Sequence, residues 1–375
     1  MTYVTEQPVT NRLALEEVHS LYGATFRDEN GWRLPAHYGD FESEYQAIRT
    51  ERGGLIDLSS RGRIQVTGSE ATMFLNGLIT NDIKTLGENR WMPAVFPTVQ
   101  GRLIAAVRIL KIADGFLIDT EPTTLDRVLK TIERFTLAGD FRVADLTHAT
   151  TMITLQGKDA GEILGKILSG TLPVDRDGLR EMEWHEQPLT ILRATHTAED
   201  GFDLIVPTDN ATVVWDTLVE AGAHPVGYDA LETLRVEAGI ARYGIDMDET
   251  NVVTETNLDD AVSFTKGCYV GQEIIIRIKH RGHVAKKLTG IVFETEKGIE
   301  PGTKVMSASG SEIGRVTSAA FSPTLGKWVA LAYLKYDYLS AGTTVKAQIE
   351  NQEIAASVHD LPFVRGSWYQ DGANV

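Results

Sequence analysis

The segment Lys266-Gly267-Cys268-Tyr269-Val270-Gly271-Gln272-Glu273 sets the only cysteine of the chain between two glycines. Glycine reaches positive φ at no steric cost, so this pair suits a tight, exposed turn. A helix beginning after Gly271 would aim its free N–H groups back at that turn, and together with the Lys266 ammonium these would favour the thiolate of Cys268. Cys268 is then a candidate reactive thiol or metal ligand. The same spacing also fits an inert loop cysteine whose glycines only turn the chain. The β-branched run Ile274–Ile276 adds strand propensity that competes with the helix.

From Ile274 to Phe293 no acidic residue occurs, while Arg277, Lys279, Arg281, Lys286 and Lys287 place five positive charges there. Such a stretch suits an anionic ligand or partner, or a solvated face. His280 and His283 straddle Gly282 with no cysteine cluster nearby, which does not make a zinc site. Asp246, Asp248 and Glu249 read as an acidic turn. No metal site is expected, and a single cysteine cannot supply the four protein ligands an iron–sulfur cluster usually takes. Neither a G-x-G-x-x-G nor a G-x-x-x-x-G-K-[ST] pattern is present, so no dinucleotide or P-loop site is indicated.

The elements that must position these residues alternate between strand-like and helix-like patterns. Residues 62–66 alternate towards Gly68, and Ala71, Phe74, Leu75 and Leu78 then fall at helical spacing. The plan returns with Ile153, Leu155, Gly157, Ala160, Ile163 and Leu164. A helical face is predicted over 228–241, and from Lys286 onward short alternating runs separated by turn residues predict an all-β module. The domains expected are 1–53 with 145–264 as a discontinuous first α/β domain, 54–144 as a second, 265–285 as the motif segment, and 286–375 as a β-barrel.

Across 375 residues the hydrophobic share of 42% and charged share of 23% are those of globular chains. The net charge of −16 disfavours general nucleic-acid binding. The amino terminus lacks a basic start followed by an apolar core, and the apolar runs are broken by Arg108, Lys111 or Arg277. No membrane association is expected, and the lone cysteine fits the cytoplasm.

K-G-C-Y-x-G-Q-E resembles the signature of the YgfZ family of folate-binding proteins, which assist assembly or repair of certain iron–sulfur enzymes and affect tRNA thiolation through them. Gly31-Trp32-Arg33-Leu34-Pro35, Thr80-Asn81-Asp82, Glu199-Asp200-Gly201-Phe202-Asp203 and Gly314-Arg315-Val316-Thr317-Ser318 resemble the wider family of glycine-cleavage T-proteins, the tetrahydrofolate-dependent aminomethyltransferases. The resemblance implies an α+β fold, a three-domain ring around a central folate cavity with a carboxy-terminal β-barrel. It gives the chemical role to Cys268 and Lys266, and it places Glu199, Arg235, Tyr269, Gly271, Gln272 and Glu273 around tetrahydrofolate or a one-carbon-substituted folate. Iron–sulfur client enzymes or assembly factors would be the partners. T-proteins carry G-G-x-x-D-D-L where this chain has Gly101-Arg102-Leu103-Ile104-Ala105-Ala106-Val107. Alanine relays no proton, so aminomethyl transfer is not expected from these positions. A one-carbon transferase drawing its carboxylate from elsewhere, or a folate-binding module without chemistry, are the alternatives.

Overall fold

The computed structural model describes residues 10–50, 52–135, 139–349 and 352–370. Its strands form one three-stranded sheet, one six-stranded sheet, one five-stranded sheet and a closed six-stranded barrel, with helices packed on the open sheets. The five-stranded sheet runs in the order Trp91–Pro97, Leu103–Ile112, Gly115–Thr120, Gly62–Thr67 and Arg142–Asp145. The six-stranded sheet is built on Thr150–Gln156 and Gly201–Pro207, paired antiparallel with Thr151 opposite Val206.

The two repeated patterns fold alike. Strand Gly62–Thr67 turns at Gly68 into helix Ala71–Leu78, and strand Thr150–Gln156 turns at Gly157 into helix Ala160–Ile167. Gly68 has φ +111°, and a Cβ there would meet the Asp140 carbonyl oxygen at 2.2 Å, so only glycine makes this turn. Ala71, Leu75 and Leu78 line the buried face of the first helix. Truncating the fully buried Leu75 to alanine would cost roughly 2–5 kcal/mol.

Two sequence-based boundaries shift. Gly54–Asp57, expected to begin the second α/β domain, instead pairs antiparallel with Thr150–Gln156, Ile153 facing Asp57. All four of its residues are buried, as in a strand covered on both faces, and a Cβ on Gly54 would meet Ile48 at 2.3 Å. The strand therefore completes the six-stranded sheet. The helix predicted over 228–241 ends at Glu237. Gly239 takes φ +69° just beyond it, and the Ile240 N–H returns to the Arg235 carbonyl, which closes the helix end.

The barrel follows the order Lys286–Phe293, Lys327–Lys335, Glu312–Ser322, Lys304–Met306, Thr344–Ile349 and Gln352–His359. Its inward face carries Ile291, Phe293, Val305, Val316, Ala332 and Val345. Outside the barrel, Leu288, Val329, Leu331 and Phe363 pack on Val236 of helix Tyr228–Glu237. Among the described residues no helix is long and apolar enough to cross a membrane.

Candidate functional site

The cysteine segment wraps the end of helix Ala71–Leu78. Gly271 adopts φ +77° as the residue before helix Gln272–Arg281, and a Cβ there would meet the Thr98 carbonyl oxygen at 2.3 Å. The run Ile274–Ile276 is helical, because Ile275 is buried against Val95, Leu103 and Tyr269 in one apolar cluster. Cys268 stands exposed as a free thiol. Lys266 does not serve it. The Lys266 ammonium, only 7% exposed, donates to the carbonyl oxygens of Asn76 at 2.7 Å, Ile79 at 2.9 Å and Asn81 at 2.7 Å. An ammonium has three N–H donors, so none remains for a thiolate. Burial pushes the Lys266 amine down to about 8. Gln272 donates to the Lys266 carbonyl, and Glu273 pairs with Arg277 in solvent.

Tyr269 is buried with an unpartnered hydroxyl beneath the Lys266 ammonium, 4.9 Å from its ring centre, and burial pushes the phenol up to about 12. The basic stretch beyond is dispersed. Lys287 reaches Asp259 and Lys279 covers the Phe264 ring, while the side chain of Arg281 lies outside the described residues. His283 stacks on Tyr336, and among the described residues no cluster of His, Cys, Asp and Glu could hold a metal ion.

A cavity of about 240 Å³ opens between the two α/β sheets, walled by Leu34, Leu58, Trp91, Tyr228, Leu231 and Met247. Its lining comes from between Glu29 and Leu258. Strand Leu103–Ile112 turns Ala105 into the core and contributes Ala106 and Arg108 to the cavity. Of the expected site residues Arg235 lines this cavity, whereas Cys268, Lys266, Tyr269, Gly271, Gln272, Glu273 and Glu199 are not among its lining. The motif residues frame the cysteine turn and not the lining of this cavity.

Glu199 and Arg235 are held as structural partners. One Glu199 oxygen accepts from Arg49 at 2.8 Å, the other from the backbone N–H and the hydroxyl of Ser367 at 2.7 and 2.6 Å. A Cβ on Gly366 would meet Glu199 at 2.2 Å, so the tail closes directly over that carboxylate. Arg235 donates through Nε to Glu232 and through its terminal nitrogens to Glu232, the Ile240 carbonyl, Asp246 and Ser318. That uses all five guanidinium donors. Neither residue has the free bidentate edge that a pterin or a folate carboxylate would need.

The cavity's own charges form a chain that the sequence reading missed. Arg61 holds Asp119 at 2.7 Å and pairs with Glu121; Arg108 holds Asp119 and Asp203, each at 2.7 Å; His196 Nε2 lies 3.0 Å from Asp203. Burial alone would raise the Asp203 carboxyl, but His196 and Arg108 reverse this and hold it well below the usual carboxylate range. Burial likewise opposes ionisation of Asp119, and Arg108 and Arg61 overcome it. Among the described residues Glu121 accepts from Arg61 through Oε1 only, which leaves a carboxylate oxygen at the cavity wall for a ligand donor. The legible sign was Arg108, a charge set with Lys111 in the otherwise apolar run Leu103–Ile112. The cavity thus offers aromatic and aliphatic walls, one carboxylate acceptor and a histidine oriented by a buried aspartate. A flat heteroaromatic ring with N–H donors fits such a slot.

Residues 15–266 match the family described as GCVT N-terminal domain, and residues 286–365 match the glycine cleavage T-protein C-terminal barrel domain. An aminomethyltransferase of Rubrobacter xylanophilus is 33% identical over 94% of this chain and 94% of its own. One from Alcanivorax borkumensis is 31% identical over 95% of this chain and 98% of its own. The crystal structure of the glycine cleavage system aminomethyltransferase T from Bartonella henselae superposes with a TM-score of 0.88 at 25% identity, covering 95% of this chain and 98% of that one.

Proposed function

The chain belongs to the glycine-cleavage T-protein family, and from that premise we propose that it binds tetrahydrofolate, or a one-carbon-substituted form, in the cavity between its α/β sheets and transfers the one-carbon unit. The observation that carries this reading is the convergence of Trp91, Tyr228, Glu121 and His196 on that cavity. The pterin would lie against the apolar walls, with one amino-pyrimidine N–H donating to the Glu121 oxygen that Arg61 leaves open. Tetrahydrofolate would supply the amine nitrogens that carry the one-carbon unit.

Ala105 and Ala106 remove the acid pair from strand Leu103–Ile112, so proton handling falls to His196. With its Nε2 proton directed at Asp203, the imidazole has Nδ1 to take a proton from an amine as that amine gains its new bond to carbon, and to return it to the leaving group. Asp203 fixes the ring and stabilises the cation, the role an aspartate plays beside a catalytic histidine. Relatives named aminomethyltransferase support transfer as the reaction class.

A melting curve tests the first step. Folate at 100 times its dissociation constant adds roughly 2.7 kcal/mol of stability, and a midpoint unmoved by millimolar tetrahydrofolate would overturn the reading. His196→Asn should keep binding and lose turnover in an assay of methylene transfer to tetrahydrofolate.

A second reading draws on Cys268. Its exposure on a turn fixed by Gly271 and anchored by Lys266 supports a YgfZ-type role in which the thiol assists iron–sulfur enzymes. Complementation of a deletion strain with Cys268→Ser separates the two: this variant should fail if the thiol acts, because a hydroxyl is a poor ligand for soft metals and does not ionise near neutrality.

A further inference from the structure

We propose that Gly366, Ser367 and Trp368, none of which lines the central cavity, position the His196 ring by clamping the loop that carries it, an inference that rests on the catalytic role given to His196 above. His196 lies on the 194–200 loop, between strands Gln187–Arg193 and Gly201–Pro207. Its partner Asp203 is on the second strand, so the 3.0 Å contact between His196 Nε2 and that carboxylate depends on where the loop is held.

The loop turns at Ala198, two residues beyond His196. Ala198 takes φ +67°, the only positive φ in the loop, and it is 1% exposed. A left-handed alanine is sparsely populated and persists only where its surroundings over-determine it. The clamp supplies those surroundings. The Trp368 N–H donates to the Ala198 carbonyl at 3.2 Å. Ser367 donates through its N–H and its hydroxyl to Glu199 at 2.7 and 2.6 Å, and its hydroxyl oxygen accepts from the Asp200 N–H at 2.9 Å. Three consecutive loop residues are thus taken by two consecutive residues of the clamp. Gly366 permits this approach: its φ of −88° is open to any residue, yet a Cβ there would meet Glu199 Oε1 at 2.2 Å and the Ala198 carbonyl oxygen at 2.5 Å.

The clamp is itself anchored. Arg176 and Arg193 lie over the Trp368 ring at 5.3 and 5.6 Å from its centre, and Arg176 also donates to the Trp368 carbonyl. Just upstream, the Phe363 and Val364 N–H groups donate to the Glu237 carbonyl, which ties the segment to helix Tyr228–Glu237. On its other sides the loop meets Gln156, which accepts from the His196 N–H at 2.9 Å, and Arg49, which donates to the Thr197 carbonyl at 2.9 Å. These fix residues 196 and 197 directly, and the clamp fixes the left-handed turn that follows.

Gly366→Ala, which drives the clamp off the loop, is compared with wild type by nuclear magnetic resonance of isotope-labelled histidine and by steady-state transfer to tetrahydrofolate. The His196 ring N–H signal, assigned by its loss in His196→Asn, should shift or broaden in Gly366→Ala, and kcat should fall roughly tenfold to a hundredfold with KM unchanged. Tyr369→Ala, which trims an exposed side chain of the same segment, should keep the wild-type signal. If Gly366→Ala does not fold, Ser367→Ala decides in its place, with Ser367→Thr restoring the signal. A ring signal that stays as in wild type when the clamp is altered overturns the clamp alone. Turnover retained by His196→Asn overturns the catalytic reading, and the purpose of the clamp with it.

Discussion

His196 Nε2 lies 3.0 Å from Asp203 Oδ1 at the wall of the central cavity, and the second oxygen of that carboxylate takes Arg108 at 2.7 Å. Asp203 thus pairs with the Arg108 guanidinium and orients the His196 ring while itself fully buried. Asp203→Ala should cost roughly 3–5 kcal/mol, since it leaves one arm of the buried Arg108 guanidinium without its acceptor, Asp119 holding only the other. Asp203→Asn should cost less and still accept a hydrogen bond. Denaturant unfolding of the three proteins measures the order, and an Ala variant as stable as wild type would refute it.

The same pair sets the acid limb of stability. Asp203 and Asp119 titrate lower in the folded chain than the 3.8 of the free side chain. Their stabilisation is therefore complete above about pH 4 and is lost as pH falls through their folded values. Unfolding free energy should decline below about pH 4, and Asp203→Asn should flatten that decline.

Lys266 anchors the segment through Asn76, Ile79 and Asn81, the carbonyls at and beyond the end of helix Ala71–Leu78. Lys266→Met should cost roughly 2–3 kcal/mol by leaving buried carbonyls unsatisfied. If the ammonium donates nothing to Cys268, the pH dependence of alkylation at the thiol should be the same in the variant; a marked slowing would restore Lys266 to an activating role.

Gly271→Ala meets both a left-handed backbone and the Thr98 carbonyl oxygen. The strain should be roughly 1–3 kcal/mol. Faster hydrogen exchange in helix Gln272–Arg281 and around Thr98 would locate the damage.

Cys268→Ala removes a small exposed side chain and should change stability by less than about 0.5 kcal/mol. Folate affinity should also stay as in wild type, because Cys268 does not line the cavity. A loss of folate affinity would mean that turn and cavity communicate.

The patterned elements were readable because their cause is local. Ala71, Leu75 and Leu78 recur at helical spacing, Gly68 and Gly157 mark turns, and the barrel strands alternate around turn residues. The helix at Gln272 was readable only as one of two possibilities, since Ile275 is decided by its packing on Val95 and Leu103. Glu199, Arg235 and Lys266 show the limit. A charged side chain looks the same in sequence whether it faces a ligand or is locked away, and the partners that lock these three, Ser367, Ser318 and Asn81, are remote along the chain. The cavity charges were hidden for the same reason: Arg108, Asp119, Asp203 and His196 meet only when two sheets pack together.

The tail that closes over Glu199 also orders events during synthesis. Strands Gly201–Pro207 and Thr150–Gln156 can pair once residue 207 has emerged, yet the buried Glu199 carboxylate lacks two of its three donors until Ser367 arrives. At ~5–20 residues per second, that interval on the ribosome lasts on the order of ten to thirty seconds. Through it the Arg49 and Glu199 pair is open to water, and the α/β body waits for the last residues of the barrel segment before its interior is sealed.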